Sequence, residues 1–120
     1  GALPDHIFAR PGARFDSALL RTSGGDYLEL LEFKYPPGKQ LRSEPWNSAT
    51  SHLGFRVADI DDCVRRLSSI GIGFNSEPQE VTEGPMQGMK FVYARDPDGV
   101  ILELVERPSS GFDGMLGIQK

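Results

Sequence analysis

The feature of this sequence that most constrains its fold is a stretch that occurs twice. Leu20–Glu32 aligns with Ala94–Glu106 without a gap, and in this alignment Glu29 corresponds to Glu103. Each copy is typical of a strand, a glycine-bearing turn and a second strand that carries a carboxylate at the same place. An internal repeat of this kind predicts two related halves, each built around a β-hairpin. The alternative is that any two hairpins with a Leu-Glu-Leu strand would align this well.

The second copy ends in a strand that carries an acid among apolar residues. Its turn, Asp96–Gly99, contains a proline that presets φ and a glycine that tolerates a positive φ. The strand Val100–Glu106 follows, and a period of two places Glu103 on the same face as Ile101 and Val105. A carboxylate with apolar neighbours is paired, protonated or bound to a metal, because burying a bare charge is costly. The alternative is an edge-strand carboxylate that faces water.

The residues ahead of this strand complete a β-α-β-β-β order. Asp59 is a good helix N-cap, acids follow it in the first turn, and Gly71 ends the helix. The predicted elements are, in order, strand His52–Val57, helix Asp59–Ile70, and strands Ile72–Asn75, Met89–Arg95 and Val100–Glu106.

The helix predicts the direction in which His52 points. Its apolar residues fall at helical spacing, at Ile60, Val64, Leu67 and Ile70. The first strand offers this apolar stripe a partner on one face, formed by Leu53, Phe55 and Val57. Because His52 alternates with those residues, we expect it on the face opposite to the helix.

The first half of the chain is shorter. Residues 1–13 show neither the helical nor the strand period and predict an extended or looped lead-in. Phe15–Arg21 and Tyr27–Tyr35 then predict a hairpin, which a Pro-Pro-Gly sequence ends. The positions equivalent to His52 and to the helix would fall ahead of Gly1. The first half is therefore expected to lack its opening strand and helix, either because the sequence is a piece of a longer protein or because that part has been lost.

Charge and cysteine content argue against several classes of protein. The chain of 120 residues has a net charge of −4 and no basic run, so nucleic acid is not an expected partner. Cys63 is its single cysteine, which rules out an internal disulfide. No stretch approaches the roughly 20 apolar residues of a membrane span, and no secretory signal is recognised at the start. These features predict a cytoplasmic protein that does not contact a membrane.

The sequence resembles the vicinal oxygen chelate superfamily in several stretches. His-Leu-Gly-Phe-Arg-Val at 52–57, followed by Asp-Ile-Asp-Asp at 59–62, is similar to the opening of one of its modules. The Asp-Pro-Asp-Gly turn and the strand up to Glu106 are similar to the close of that module, and Tyr27–Gly38 resembles the end of another. The superfamily contains glyoxalase I, methylmalonyl-CoA epimerase, extradiol dioxygenases, and bleomycin and fosfomycin resistance proteins.

The resemblance implies an α+β fold of paired βαβββ modules. Their strands would form a curled mixed sheet around a cup, with the first module lacking its opening strand and helix. The chain then divides into residues 1–38, the closing hairpin of the first module; 39–51, a linker; 52–106, the complete second module; and 107–120, a C-terminal tail. An incomplete module leaves a sheet edge and an apolar face uncovered, so we expect a homodimer.

The resemblance also implies a divalent metal ion in the cup, with ligands on the first and last strand of each module. By position, His52 and Glu103 match the second module's pair, and Glu29 matches the glutamate of the first. Histidine and carboxylates suit Zn, Ni, Co, Mn or Fe. The first module's opening ligand has no counterpart, so we expect weak or absent metal in this chain. The alternative is a hydrogen-bonded strand histidine and two surface acids.

Two classes of function follow from the resemblance. The first is a metal-dependent lyase, isomerase or epimerase acting on a small carbonyl substrate, in which Glu29 or Glu103 moves a proton. The second is a metal-free protein that binds and sequesters a small molecule such as an antibiotic. An extradiol dioxygenase is a weaker alternative, since its usual ligands are two His and one Glu. Aromatic residues of the cup would serve either class or pack between the halves; they are Tyr27, Phe33, Phe91 and Tyr93.

Overall fold

The computed structural model describes residues 2–108, and the chain divides into two compact units, Gly1–Gln40 and Leu41–Lys120. The first unit contains helix α1 (Ala2–Ile7) and strands β1 (Arg14–Arg21) and β2 (Tyr27–Tyr35). The second contains strand β3 (His52–Arg56), helix α2 (Ile60–Ser69) and strands β4 (Gln79–Glu80), β5 (Lys90–Arg95) and β6 (Ile101–Glu106). The predicted α+β class is confirmed. The module boundaries stay a prediction, and most of the predicted tail, from residue 109 onward, lies outside the described residues.

The first unit is an antiparallel hairpin preceded by a short helix. The prediction that residues 1–13 form an extended or looped lead-in is wrong for Ala2–Ile7, where the chain forms α1. Beyond the helix, Phe8 packs edge-on against Phe15 and Phe33 of the hairpin, with ring centroids 5.3 and 4.8 Å away. This aromatic contact holds the end of the helix against the sheet. No local periodicity could have revealed it.

The second unit is a four-stranded mixed sheet in the order β3-β6-β5-β4, with β3 parallel to β6 and the other pairs antiparallel. Helix α2 covers one face, and Ile60, Val92 and Leu104 form the buried core between them. As predicted, Asp59 is the N-cap of α2, and its Oδ1 accepts a hydrogen bond from Asp62 N at 2.9 Å. No helix within residues 2–108 is long and apolar enough to cross a membrane.

Helix α2 packs on different strands from the one that the sequence predicts. Leu53 and Phe55 of β3, its expected partners, remain 40% and 36% exposed, whereas Val57 does pack against the core. Since β3 lies at the edge of the sheet, α2 packs on the central strands β5 and β6 instead. Cys63 contributes to the apolar face of the helix, and Ile70, predicted there, is 75% exposed at the helix end.

The prediction of a strand around Ile72–Asn75 is wrong in extent. Only Phe74 pairs there, through a single bridge to Ala94, and the chain bends after it. Phe74 packs against the core beneath α2, and Pro78, which has no N–H to donate to a ladder, lies just ahead of β4. The two-residue strand β4 was not predicted.

The internal repeat is also present in the strand register, because the two hairpins pair equivalent positions. Leu19 opposes Glu29 across β1 and β2, as Tyr93 opposes Glu103 across β5 and β6. Neighbouring pairs agree as well: Ala18↔Leu30 with Val92↔Leu104, and Leu20↔Leu28 with Ala94↔Leu102. The two glutamates are therefore equivalent in local strand pairing as well as in sequence.

Candidate functional site

His52 and Glu103 lie side by side on the face of the mixed sheet opposite to α2. His52 begins β3, and Glu103 lies within β6, which runs parallel to β3. The His52 Nε2 and Glu103 Oε2 atoms are 3.2 Å apart. The imidazole side chain is 44% exposed and the glutamate side chain only 15%. The structure thus brings together two of the three predicted ligands.

Gly54 explains how these two side chains reach each other. It is the direct partner of Glu103 in the β3–β6 register, whereas His52 is paired with Ile101. A Cβ atom at Gly54 would lie 3.4 Å from Glu103 Oε2. With no side chain at that position, the carboxylate has room to lie toward His52. Glycine inside a strand often marks such a close approach.

Tyr93 borders the cluster on the other side of β6. It is the direct partner of Glu103 across β5 and β6, and its ring meets that of His52 edge-on, with centroids 5.4 Å apart. Burial raises the pKa of the Tyr93 phenol, and the neighbouring Glu103 carboxylate raises it further. The phenol therefore stays protonated around neutral pH and can donate a hydrogen bond.

The spacing of the two donors suits a metal ion. Ligand atoms about 2.0–2.2 Å from one divalent ion lie roughly 3 Å from each other, close to the 3.2 Å between His52 and Glu103. An imidazole nitrogen with a carboxylate oxygen is also a donor set that several first-row metals accept. Within residues 2–108, no group of three His, Cys, Asp or Glu side chains could hold an ion. The pair fits two coordination positions, and the others would need water, substrate or a further side chain.

Glu29, the third predicted ligand, belongs to the first unit. It is an exposed residue of β2, and its partner across the hairpin is Leu19. An apolar side chain thus stands where Tyr93 stands in the second hairpin. Glu29 lies in the first unit and the His52–Glu103 pair lies in the second. The role of Glu29 as a ligand stays a prediction.

The aromatic residues expected in the cup have different surroundings. Tyr27 is exposed, Phe33 packs against Phe8, and Phe91 is half-buried in β5. Tyr93 contacts His52 directly. These contacts make Tyr93 the aromatic residue with the clearest connection to the site.

A cavity of about 200 Å³ lies beside His52 in the second unit. It is bounded by Ser51, which precedes His52, and by Ile101, which pairs with it. The full lining comes from the loop ahead of β3 and the turn ahead of β6: Leu41, Ser43, Ala49, Ser51, Asp98, Gly99, Val100 and Ile101. The cavity could hold a small ligand with polar groups.

Glu44 anchors the loop that lines this cavity. Its carboxylate accepts hydrogen bonds from Arg42 Nε at 2.7 Å and from Arg95 Nη2 at 3.1 Å. The hydrogen bond from Arg42 holds the pKa of Glu44 below its ordinary value. Arg95 Nη1 also donates to the Gly99 carbonyl at 3.1 Å, so one guanidinium ties the loop to the turn.

The sequence prediction gave no role to Gly54, Glu44 or the phenol of Tyr93. For Gly54, the available signal is a glycine in the interior of a predicted strand. For Tyr93, the hairpin turn fixes the register and thereby places it opposite Glu103. Glu44 lies far from Arg95 in sequence, and no local pattern connects them.

Comparison with known proteins assigns a family. The sequence model of the Glyoxalase/Bleomycin resistance protein/Dioxygenase superfamily matches residues 10–104. A 2-epi-5-epi-valiolone epimerase from Actinomyces sp. is 36% identical over 95 residues, which are 77% of this chain and 51% of the epimerase. The uncharacterized protein YaeR of Escherichia coli is 34% identical over 99 residues, 82% of this chain and 70% of YaeR. The chain thus spans about half the length of the epimerase.

Solved structures lead to the same family. A glyoxalase family protein from Bacillus cereus superposes with a TM-score of 0.70 at 25% identity, covering 85% of this chain and 68% of that protein. A glyoxalase/dioxygenase from Nostoc punctiforme gives a TM-score of 0.59 at 25% identity, covering 78% and 61%. The resemblance carried by residues 52–62 and by the Asp-Pro-Asp-Gly turn with its strand is confirmed, and the chain belongs to the glyoxalase/bleomycin resistance protein/dioxygenase superfamily.

Proposed function

We propose that this protein is a divalent-metal-dependent enzyme of the lyase, isomerase or epimerase type that acts on a small carbonyl substrate. The observation that carries the proposal is the His52–Glu103 pair, whose donor atoms lie 3.2 Å apart on the sheet face opposite to α2. That distance and donor set suit two neighbouring ligands of one ion. The similarity to an epimerase favours epimerisation as the reaction class.

The residues of the proposed site would serve metal binding and proton transfer. His52 and Glu103 would hold the ion, which when bound supplies Lewis acidity toward a substrate oxygen. Glu29 is proposed as a further ligand because it holds the position in its hairpin that Glu103 holds in the second. Glu29 or Glu103 would also move the proton beside the carbonyl, since carboxylates serve as general bases for such steps.

The test is metal binding by the purified protein and one variant. Glu103→Gln keeps the shape of the side chain but removes the charge, and we expect its Co²⁺ affinity to fall at least about ten-fold, measured by isothermal titration calorimetry. Glu83→Gln makes the same change at an exposed loop position and should bind like the parent. If Glu103→Gln binds Co²⁺ as tightly as its parent, the proposed site is wrong.

A second candidate is metal-free binding of a small molecule. It is favoured by the cavity beside His52, whose lining includes the polar residues Ser43, Ser51 and Asp98. Purified protein that takes up no divalent metal but binds a polar small molecule would favour this candidate over the enzyme.

We also propose a homodimer. Among the described strands, β3 is at the edge of its sheet, and all five of its residues are exposed. The two-stranded sheet of the first unit carries exposed apolar side chains as well, including Leu20 and Leu30. Open strand edges and exposed apolar faces favour pairing with another chain.

A further inference from the structure

Tyr93 lies where it can hold Glu103 in place. Strand pairing puts the two residues directly opposite each other, and directly opposed side chains share one face at close distance. On that face the Tyr93 ring also meets His52, with centroids 5.4 Å apart. Tyr93 therefore contacts both members of the candidate metal-binding pair.

The chemistry of the phenol fits this position. A carboxylate can only accept hydrogen bonds, and a neutral tyrosine hydroxyl can donate one. Glu103 Oε2 is 3.2 Å from His52 Nε2, and the absence of a side chain at Gly54 leaves it room there. A donor at Tyr93 would keep the carboxylate from adopting other rotamers.

We propose that Tyr93 is a positioning residue, which donates a hydrogen bond to the Glu103 carboxylate and so keeps that carboxylate turned toward His52. The inference rests on the proposed function, in which Glu103 and His52 bind one ion. Hydrogen bonds from neighbouring groups orient metal ligands, and their loss typically weakens metal binding about 10- to 100-fold.

The first hairpin offers an internal comparison. Its register is the same, yet Leu19 stands opposite Glu29 where Tyr93 stands opposite Glu103. Leucine offers no donor, so Glu29 has no equivalent phenol across its hairpin. The two glutamates are alike in strand position and differ in this neighbour. The second hairpin therefore differs from the first in having a phenol opposite its glutamate, and that phenol can hold the carboxylate.

The first part of the test uses metal-free protein. Tyr93→Phe removes only the hydroxyl and keeps a ring against His52. The chain has two histidines, His6 and His52, so their imidazole NMR signals are simple to assign. We expect the His52 signals to shift in Tyr93→Phe because Glu103 is released, while those of His6 stay in place. Tyr35→Phe, the same change in the first unit, should leave the His52 signals unchanged.

The second part measures Co²⁺ binding by the same variants, through calorimetry and the visible spectrum of the bound ion. We expect the Kd of Tyr93→Phe to rise about 10- to 100-fold and that of Tyr35→Phe to match the parent. Unchanged His52 signals in Tyr93→Phe, or an unchanged Kd, would overturn the inference. If the parent itself binds no Co²⁺, the proposed function fails, and the metal-free spectra alone decide whether Tyr93 holds Glu103.

Discussion

A carboxylate on a sheet surface has several rotamers open to it, and its neighbours decide which one it adopts. Around Glu103, one direct strand partner, Gly54, offers no side chain, and the other, Tyr93, offers a phenol. Both features favour the direction toward His52, whose Nε2 is 3.2 Å from Glu103 Oε2. The geometry of this pair therefore depends on residues that are not themselves ligands.

Gly54→Val should separate Glu103 from His52. The Cβ alone would lie 3.4 Å from Glu103 Oε2, and the branched methyl groups need further room. Since valine suits a strand, we expect unchanged or higher thermal stability together with an about ten-fold loss of Co²⁺ affinity, measured by calorimetry. Gly73→Val is the control, because a Cβ there meets nothing within 4 Å. Equal Co²⁺ affinities in the two variants would contradict this account.

At the scale of elements, helix α2 is fixed at its start by two acids from different parts of the chain. Asp59 caps the helix locally, through the hydrogen bond from Asp62 N. Glu106, at the end of β6, accepts a hydrogen bond from Ile60 N at 2.7 Å. Acids at a helix N-terminus satisfy free N–H groups and complement the helix dipole. The second contact also ties α2 to the strand that carries Glu103.

Removing the Glu106 carboxylate should therefore loosen the helix. We expect Glu106→Ala to lower the free energy of unfolding by about 1 kcal/mol, as loss of an N-terminal acceptor usually does, measured by urea denaturation. The repeat supplies the control: Glu32 occupies the equivalent place in β2 and makes a surface ion pair with Lys34. Glu32→Ala should have little effect, since exposed ion pairs contribute little. Similar losses in both variants would argue against this role for Glu106.

At the scale of the whole molecule, the described sheets leave edges that a second chain could cover. The order β3-β6-β5-β4 places β3 at an edge, with Leu53 and Phe55 exposed on it. Apolar residues on an open edge strand are unusual in a monomer, because such an edge invites pairing with another chain. The proposed homodimer would bury this edge.

Phe55→Lys should therefore weaken the dimer, because a charged side chain on an edge strand opposes pairing. We expect sedimentation velocity at micromolar concentration to give a dimer for the parent and a shift toward monomer for Phe55→Lys. Ile70→Lys replaces another exposed apolar residue, at the end of α2, and should sediment like the parent. A parent protein that sediments as a compact monomer would refute the dimer.

The sequence by itself determined the elements whose signals are local. Both hairpins, the start of α2 at Asp59 and the opposite faces of Leu104 and Glu103 follow from turn residues, capping and the period of two. The repeat also predicts that Glu29 and Glu103 hold equivalent positions, and the registers of the two hairpins agree with this.

The tertiary structure decided what depends on contacts between distant residues. Phe8 packs on the hairpin beside a helix that the sequence does not predict, and α2 packs on Val92 and Leu104 because β3 lies at the sheet edge. The approach of Glu103 to His52 required the parallel pairing of β3 with β6. Such pairing joins strands that a helix and two further strands separate in sequence, so no local pattern encodes the distance between their side chains.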